Sequence, residues 1–335
     1  GDEAPCQAEL PSDLSGVVGG GCHAEAHSPP PFLPGRSFST RKFSAVAGYR
    51  RIEEKAGDGE EASLLYRQEV EVSLSNASSQ DLTALPPFRF KSSQAVSFGQ
   101  LMDVSTPLPP ECHGASVWEA SAHLTEFVLA GGVALPASRI LELGAGVGLP
   151  GLACAIASAP ASSAVTAILT DGDPQLVADM KASLAAWQVD CAENSAGVAP
   201  TVEASFLPWG APGQGILEDI VRRHGPFDLV LAADCVYGKL YCSRALAETV
   251  ASLLREDGSV SRSAPHVLLS VERRVDDALE AFWRHAEELG MVAELAWSSS
   301  RDEEPPGKQR APRVRHTEIY DVRRRREGER DPRNK

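Results

Sequence analysis

The sequence predicts an α/β protein built on a parallel, doubly wound sheet that closes at one edge in an antiparallel hairpin. Three observations carry this. From Trp118 onward, short apolar runs alternate with helical patterns. The run 140–143 leads into glycines at 144, 146 and 148 and then Leu149-Pro150, which reads as a buried strand, a tight turn and a helix start. The last two strand-like runs, 291–297 and 314–322, have no long helix between them and therefore pair antiparallel.

In chain order, residues 1–41 are rich in Gly, Pro, Ser and Ala and include Pro29-Pro30-Pro31. Such a stretch buries too little apolar surface to offset its ordering entropy, so a disordered tail is expected. Residues 42–106 read as a β-rich extension packed on the main domain. Within it, 63–74 alternates through Leu65, Val70, Val72 and Leu74 behind the turn Gly57-Asp58-Gly59. Residues 107–322 carry the regular pattern. A helix over 117–129 passes through Gly131-Gly132 into the first strand. The second strand, 165–169, ends at Thr170-Asp171. Asp173 and Pro174 then open a helix to Trp187, with Leu176, Met180, Leu184 and Trp187 on one face. Strands follow at 202–207, 227–232 and 265–271, and helices at 216–221, 240–254 and 275–289. Residues 323–335, opening with Arg323 to Arg326 in a row, read as a solvated basic tail, with a nuclear address as the lesser alternative.

The 335 residues are 43% hydrophobic and 23% charged, an ordinary globular balance with ample material for a core. No apolar run approaches the roughly 18 residues of a membrane helix, so no membrane partner is expected. The chain opens at Gly1 with acidic neighbours and no apolar signal core, and whether a leader was removed before Gly1 stays open. Seven cysteines, with no C-x-x-C pair, fit neither a disulfide framework nor a zinc site. Reduced thiols, no bound metal and a place in the cytosol or nucleus are expected. The net charge of −14 argues against general nucleic-acid affinity and is compatible with a basic partner.

Ligands of a doubly wound sheet sit at the carboxyl ends of its strands. The turn Gly144-Ala145-Gly146-Val147-Gly148 lacks the dinucleotide spacing, because Leu149 stands where the last glycine of G-x-G-x-x-G belongs. With Glu142 just before it, the turn suits a ligand without a pyrophosphate. Asp171 follows at close to the ~20 residues at which an acidic side chain meets ribose hydroxyls. Its alternative role is helix capping, for which Asp173 is better placed. After the third strand, Trp209 either lies against an adenine ring or simply packs. After the fourth, Asp234 and Tyr237 either face a reacting centre or serve as a helix cap and a core residue. Trp118-Glu119 opens the helix before the first strand and is placed to close over a cofactor.

Together, Val117-Trp118-Glu119, the run Glu142 to Gly148 and Asp234-Cys235-Val236-Tyr237 resemble the seven-β-strand S-adenosylmethionine methyltransferases of family sixteen, mostly protein-lysine methyltransferases. The last of these elements matches the family's D-x-x-Y motif, and the resemblance spans residues 106–322. Thr106-Pro107-Leu108 and Leu269-Ser270-Val271-Glu272-Arg273-Arg274 are most similar to the branch of methyltransferase-like protein twenty-two. The resemblance implies a Rossmann-like seven-stranded sheet, S-adenosylmethionine as cofactor, and a protein substrate presenting a lysine; a monomer is expected. It implies that Glu142, Gly144, Ala145, Gly146 and Gly148 hold the methionine part, Asp171 the ribose and Trp209 the adenine. Trp118 and Ala233 would border the cofactor, and Asp234 and Tyr237 would face the methyl group and the amine. Pro208 departs from the family, many of whose members have an acidic residue there. Three other readings stay open: a nucleic-acid methyltransferase, ranked low because Cys235-Val236 replaces the prolines expected there, a small-molecule N-methyltransferase, and a non-catalytic module that only binds the cofactor.

Overall fold

A computed structural model of the chain describes residues 32–40, 43–52, 65–74, 85–97, 114–135, 137–161, 164–194, 199–236, 243–255, 264–273, 276–299, 316–326 and 329. The larger sheet is seven-stranded and mixed. Its parallel strands are β5 (Arg139–Leu143), β6 (Thr166–Asp171), β7 (Thr201–Phe206), β8 (Leu229–Ala233) and β9 (His266–Glu272). The expected hairpin closes it: β10 (Met291–Ser298) and β11 (Thr317–Arg324) pair antiparallel, with β11 lying between β10 and β9. The order is β10-β11-β9-β8-β5-β6-β7, so the chain reverses direction across the sheet between β5 and β8.

Register fixes what that switch point presents. Leu143 is level with Thr170 on one side and Ala232 on the other, and Ala233 is level with Ser270. The carboxyl ends of β5, β6, β8 and β9 therefore line one edge. Alternation sends successive side chains to opposite faces. Ile140 joins the apolar layer under α1 (Glu119–Phe127), α2 (Leu149–Ser158) and α3 (Pro174–Asn194). Leu141 and Leu143 join the layer under α4 (Gln214–His224), α5 (Ser243–Leu253) and α6 (Asp276–Glu288). Glu142 shares the Ile140 phase and so points toward α2, a polar side chain on an apolar face.

The helix expected over 117–129 is regular only to Phe127. Val128–Gly132 then forms one π-helical turn, with Gly131 at φ +93°. The helix after Asp173 runs past Trp187 to Asn194, which lengthens the face available for packing.

That face carries the extension. Four antiparallel strands form a separate sheet: β1 (Phe32–Ser39), β2 (Phe43–Ile52), β3 (Leu65–Leu74) and β4 (Phe88–Ser97). Phe43, Val70, Val72, Phe88 and Phe90 belong to the same apolar cluster as Met180, Leu184 and Trp187 of α3. Trp187 meets Phe88 edge-on with centroids 6.3 Å apart and donates its indole N–H to the Pro86 carbonyl at 2.9 Å. The open edge of β4 is covered by the same helix, since the Lys91 and Ser93 amides donate to Ser183 Oγ and Asp179 Oδ2 at 3.1 and 2.8 Å. Polar side chains of a helix thus take the place of a fifth strand.

Three sequence expectations change here. The strand β1 lies inside the 1–41 stretch assigned to a tail. It pairs Phe32 with Arg50 and Ser39 with Ser44 around a bulge between Pro34 and Ser37, and Phe38 packs on the core. Composition counts apolar content, whereas a strand added to an existing sheet draws on its neighbour's backbone groups. In β3 the inward face is Tyr66, Gln68, Val70 and Val72, so Leu65 is out of phase with the buried positions. Arg323 and Arg324 close β11 instead of opening a solvated tail. The Arg323 guanidinium pairs with Glu294 at 3.0 Å and Glu329 at 2.6 Å, and Arg325 pairs with Glu287 at 3.3 Å. The turn at 57–59, the Thr106-Pro107-Leu108 run and all of residues 1–31 lie outside the described residues.

Candidate functional site

The glycine turn after β5 is held from below and from both sides. Gly144, Gly146 and Gly148 take φ of +61°, +55° and +76°, the left-handed region that a side chain disfavours. Space excludes one as well. A Cβ at Gly144 would lie 2.7 Å from Cys235 Sγ and 2.9 Å from the Trp209 ring, and one at Gly146 would lie 2.7 Å from the Gly114 carbonyl oxygen. From below, Glu142 Oε2 accepts the Gly151 amide of α2 at 2.8 Å, and Thr170 Oγ1 donates to the Glu142 carbonyl at 2.7 Å. The Ala145 amide donates to the Thr170 carbonyl at 2.8 Å. Because Glu142 holds the first-turn amide of α2 and Pro150 has none, that helix start offers little to a pyrophosphate.

Asp171 does more than stand at the end of β6. Its Oδ2 accepts the Gly146 amide and its Oδ1 the Asp173 amide, both at 3.0 Å, so it ties the second strand to the glycine turn. Asp173 takes the capping role expected of it, its Oδ1 accepting the Gln175 and Leu176 amides at 2.8 and 3.1 Å. Trp209 follows β7, with its loop pinned by the Gly210 amide donating to Thr249 Oγ1 at 3.0 Å. The Trp209 ring edge faces Gly144, and its Nε1 is buried with no acceptor among the described residues.

Asp234 follows Ala233, which closes β8. It is 8% exposed and has φ +55°. Its amide donates to the Ser270 carbonyl at 2.8 Å, which extends the β8–β9 ladder and fixes the bend. A non-glycine residue in this conformation costs on the order of 1–3 kcal/mol and is held only where its surroundings over-determine it. Cys235 then turns back, its thiol donating to the Leu143 carbonyl at 3.2 Å. Burial, and the nearby charges of Asp171, Asp234 and Glu142, push that thiol well above its ordinary range. Trp118 sits at the start of α1, its carbonyl accepting the Ser121 and Ala122 amides, in the segment whose Gly114 overlies Gly146. Tyr237 lies outside the described residues. The thiol bridge from Cys235, the Thr170 hydroxyl and the Gly114 carbonyl were missed in the sequence, since each joins distant positions without any periodic mark.

The acidic groups make a pH prediction. Burial first, and the Asp171 charge second, raise the Glu142 carboxyl to about 8 from an ordinary 4.5, against the opposing Gly151 hydrogen bond. Below pH about 4.5 the group is protonated whether the chain is folded or not. Between 4.5 and 8 the unfolded chain releases the proton and the folded one keeps it, so stability falls as pH rises through that window. Glu142→Gln is expected to flatten the fall, with a gain on the order of 1–3 kcal/mol at pH 8 and none at pH 4. Urea midpoints at the two pH values check this. Asp171, raised chiefly by burial, leaves a residual slope in the same direction.

A ligand for this edge must lie on bare backbone, bring positive charge to the carboxylates and offer the Trp209 N–H an acceptor. S-adenosylmethionine meets these terms with its sulfonium, its amino-acid part and its adenine nitrogens, so the residues present fit the cofactor. The match to known proteins agrees. Residues 110–288 match the family model described as lysine methyltransferase. Protein N-lysine methyltransferase METTL21A of Danio rerio is 31% identical over 190 residues, 56% of this chain and 73% of that protein. Calmodulin-lysine N-methyltransferase of Arabidopsis thaliana is 31% identical over 154 residues, 46% of this chain and 43% of that protein. Among solved structures, precorrin-6y C5,15-methyltransferase from Geobacter metallireducens is 14% identical with a TM-score of 0.36, covering 61% of this chain and 86% of its own. With the family model spanning the glycine turn, Asp171, Trp209 and Asp234, the chain belongs to the lysine methyltransferase family, whose methyl donor is S-adenosylmethionine.

Proposed function

We propose that the chain methylates a lysine side chain of a protein substrate at the edge formed by the ends of β5, β6, β8 and β9. The observation that carries this reading is the glycine turn at the sheet's switch point, flanked by Asp171, which accepts the Gly146 amide, and by Asp234, held at φ +55° beyond β8. Gly144, Ala145, Gly146 and Gly148 would seat the methionine part of the cofactor, with Glu142 holding the turn beneath it. Asp171 would take the ribose, Trp209 the adenine, and Trp118 and Ala233 would border the pocket. Bound there, the sulfonium supplies a methyl carbon already activated for in-line displacement.

The chain's own task is alignment and desolvation. A lysine amine must be neutral to attack, against a free pKa of ~10.4, and removal from water lowers that value. The Asp234 carboxylate is placed to accept a hydrogen bond from the amine and so aim its lone pair, with the Ala233 carbonyl as a second acceptor. We place the enzyme in the cytosol or nucleus, acting as a monomer. The buried free thiols of Cys154, Cys191 and Cys235 support the compartment. Within the family we assign it to the branch of methyltransferase-like protein twenty-two, on the runs at 106–108 and 269–274.

The test is tritiated S-adenosylmethionine with whole-cell lysate, followed by gel separation and mass spectrometry of the labelled band. Label on a lysine, absent with Asp234→Asn, is the expected result. Label that follows RNase- or DNase-sensitive material, or a small molecule, overturns the lysine assignment.

A further inference from the structure

Among the described residues, a polar contact joins the N-terminal sheet to the segment before α1. Gln68 lies on the inward face of β3 between Tyr66 and Val70 and is only 5% exposed. Its Nε2 donates to Ser116 Oγ at 2.9 Å, across 48 positions of sequence. Its Oε1 is buried without a partner among the described residues. A leucine would fill this apolar face without leaving a buried acceptor unpaired, so a glutamine here is costly unless its one hydrogen bond serves a purpose.

What the bond holds is the strap at 114–118. Ala115 and Val117, on either side of Ser116, are fully buried in the apolar cluster that also contains the sheet's Phe43, Val70 and Phe90. Gly114 lies against Leu176, the distance from a Cβ there to Leu176 Cδ2 being 2.5 Å, and its carbonyl lies over Gly146. The strap ends at Trp118. Beside the strap the same sheet grips α3 just beyond Asp171. Gln175 Nε2 donates to Ser93 Oγ at 2.8 Å, and Ser93's own amide donates to Asp179. One small sheet therefore braces both the strap and the turn after Asp171.

We infer that the N-terminal sheet is a working part of the cofactor site, with Gln68 as the positioning residue that holds the 114–118 strap over the glycine turn through Ser116. The inference rests on reading the crevice as the cofactor site. A strap already ordered before binding need not be ordered at the moment of binding, so the contact raises affinity for the cofactor.

The full chain tests this by calorimetric titration with S-adenosylmethionine and its demethylated product. Gln68→Leu and Ser116→Ala are each expected to weaken binding about tenfold, and the double variant by the same tenfold instead of a hundredfold, because both remove one contact. Ser116→Thr keeps the acceptor oxygen and is expected to bind within about threefold of the parent chain. The urea midpoint of Gln68→Leu is expected to be no lower than the parent's, which separates positioning from a role in folding alone. Single variants that bind within twofold of the parent, or effects that multiply in the double variant, overturn the inference and leave the crevice reading standing. A parent chain that binds neither compound overturns the crevice reading first, and this inference with it.

Discussion

Asp234→Asn is expected to leave S-adenosylmethionine bound and its methyl group untransferred. Asparagine is the apt replacement because the position has φ +55°, a region that Asp and Asn tolerate better than other side chains. The amide bond to the Ser270 carbonyl and the bend into Cys235 are then preserved, and only the charge is lost. If the carboxylate aims the amine, turnover should fall by at least ~100-fold, the lower end of what one positioned acid–base group contributes. Cofactor affinity should stay within about threefold, since the turn, Asp171 and Trp209 are untouched. Single-turnover methylation beside calorimetry separates the two quantities. Asp234→Ala is the blunter variant, because it adds backbone strain to the loss of charge. Equal losses of rate and affinity in Asp234→Asn would place the residue on the cofactor and not on the amine.

The second large effect is expected at Gly146. A methyl group there meets the Gly114 carbonyl oxygen at 2.7 Å, and backbone cannot swing aside as a flexible side chain can. Added to this is the left-handed φ, which costs an L-residue roughly 1–2 kcal/mol. The amide that Asp171 accepts at 3.0 Å moves with the turn, so one substitution disturbs the floor of the crevice and one of its walls. Gly146→Ala is therefore expected to reduce cofactor affinity by at least ~100-fold, about 2.7 kcal/mol, and to abolish the thermal shift on adding the demethylated product. Gly172→Ala is the control. Its Cβ would meet nothing closer than 3.9 Å and its φ is unstrained, so binding should hold within twofold. If Gly146→Ala binds as well as that control, the ligand does not lie on this turn.

The core of this fold was legible because its signals are local. Strands 140–143 and 165–169 announce themselves as apolar runs, the turn by its glycines, and the capping of α3 by Asp173 beside a proline. Each strand of the seven-stranded sheet lies within a few residues of its expected bounds, and the closing hairpin follows from the missing helix. What could not be read is set by distance along the chain. Asp171 gives one oxygen to Gly146 and the other to Asp173, but only the second of these is a short-range pattern. The strand β1 forms because β2 offers it a ladder, and no apolar run betrays that. Arg323 looked like part of a tail because a row of arginines says nothing about Glu294, which lies on the neighbouring strand. The phase error at Leu65 has the same origin. Gln68 looks like an outward residue until Ser116 is brought to it.

The packing of the first sheet on α3 has a consequence for biosynthesis. Its four strands leave the ribosome well before Pro174–Asn194, the helix that covers their apolar face. Until that helix emerges, Phe43, Val70, Phe88 and Phe90 lack the partners Met180, Leu184 and Trp187, and the nascent chain presents a sticky surface of the kind that molecular chaperones recognise. Translational pausing or chaperone depletion during this interval should lower the yield of soluble chain, even where the finished protein is stable.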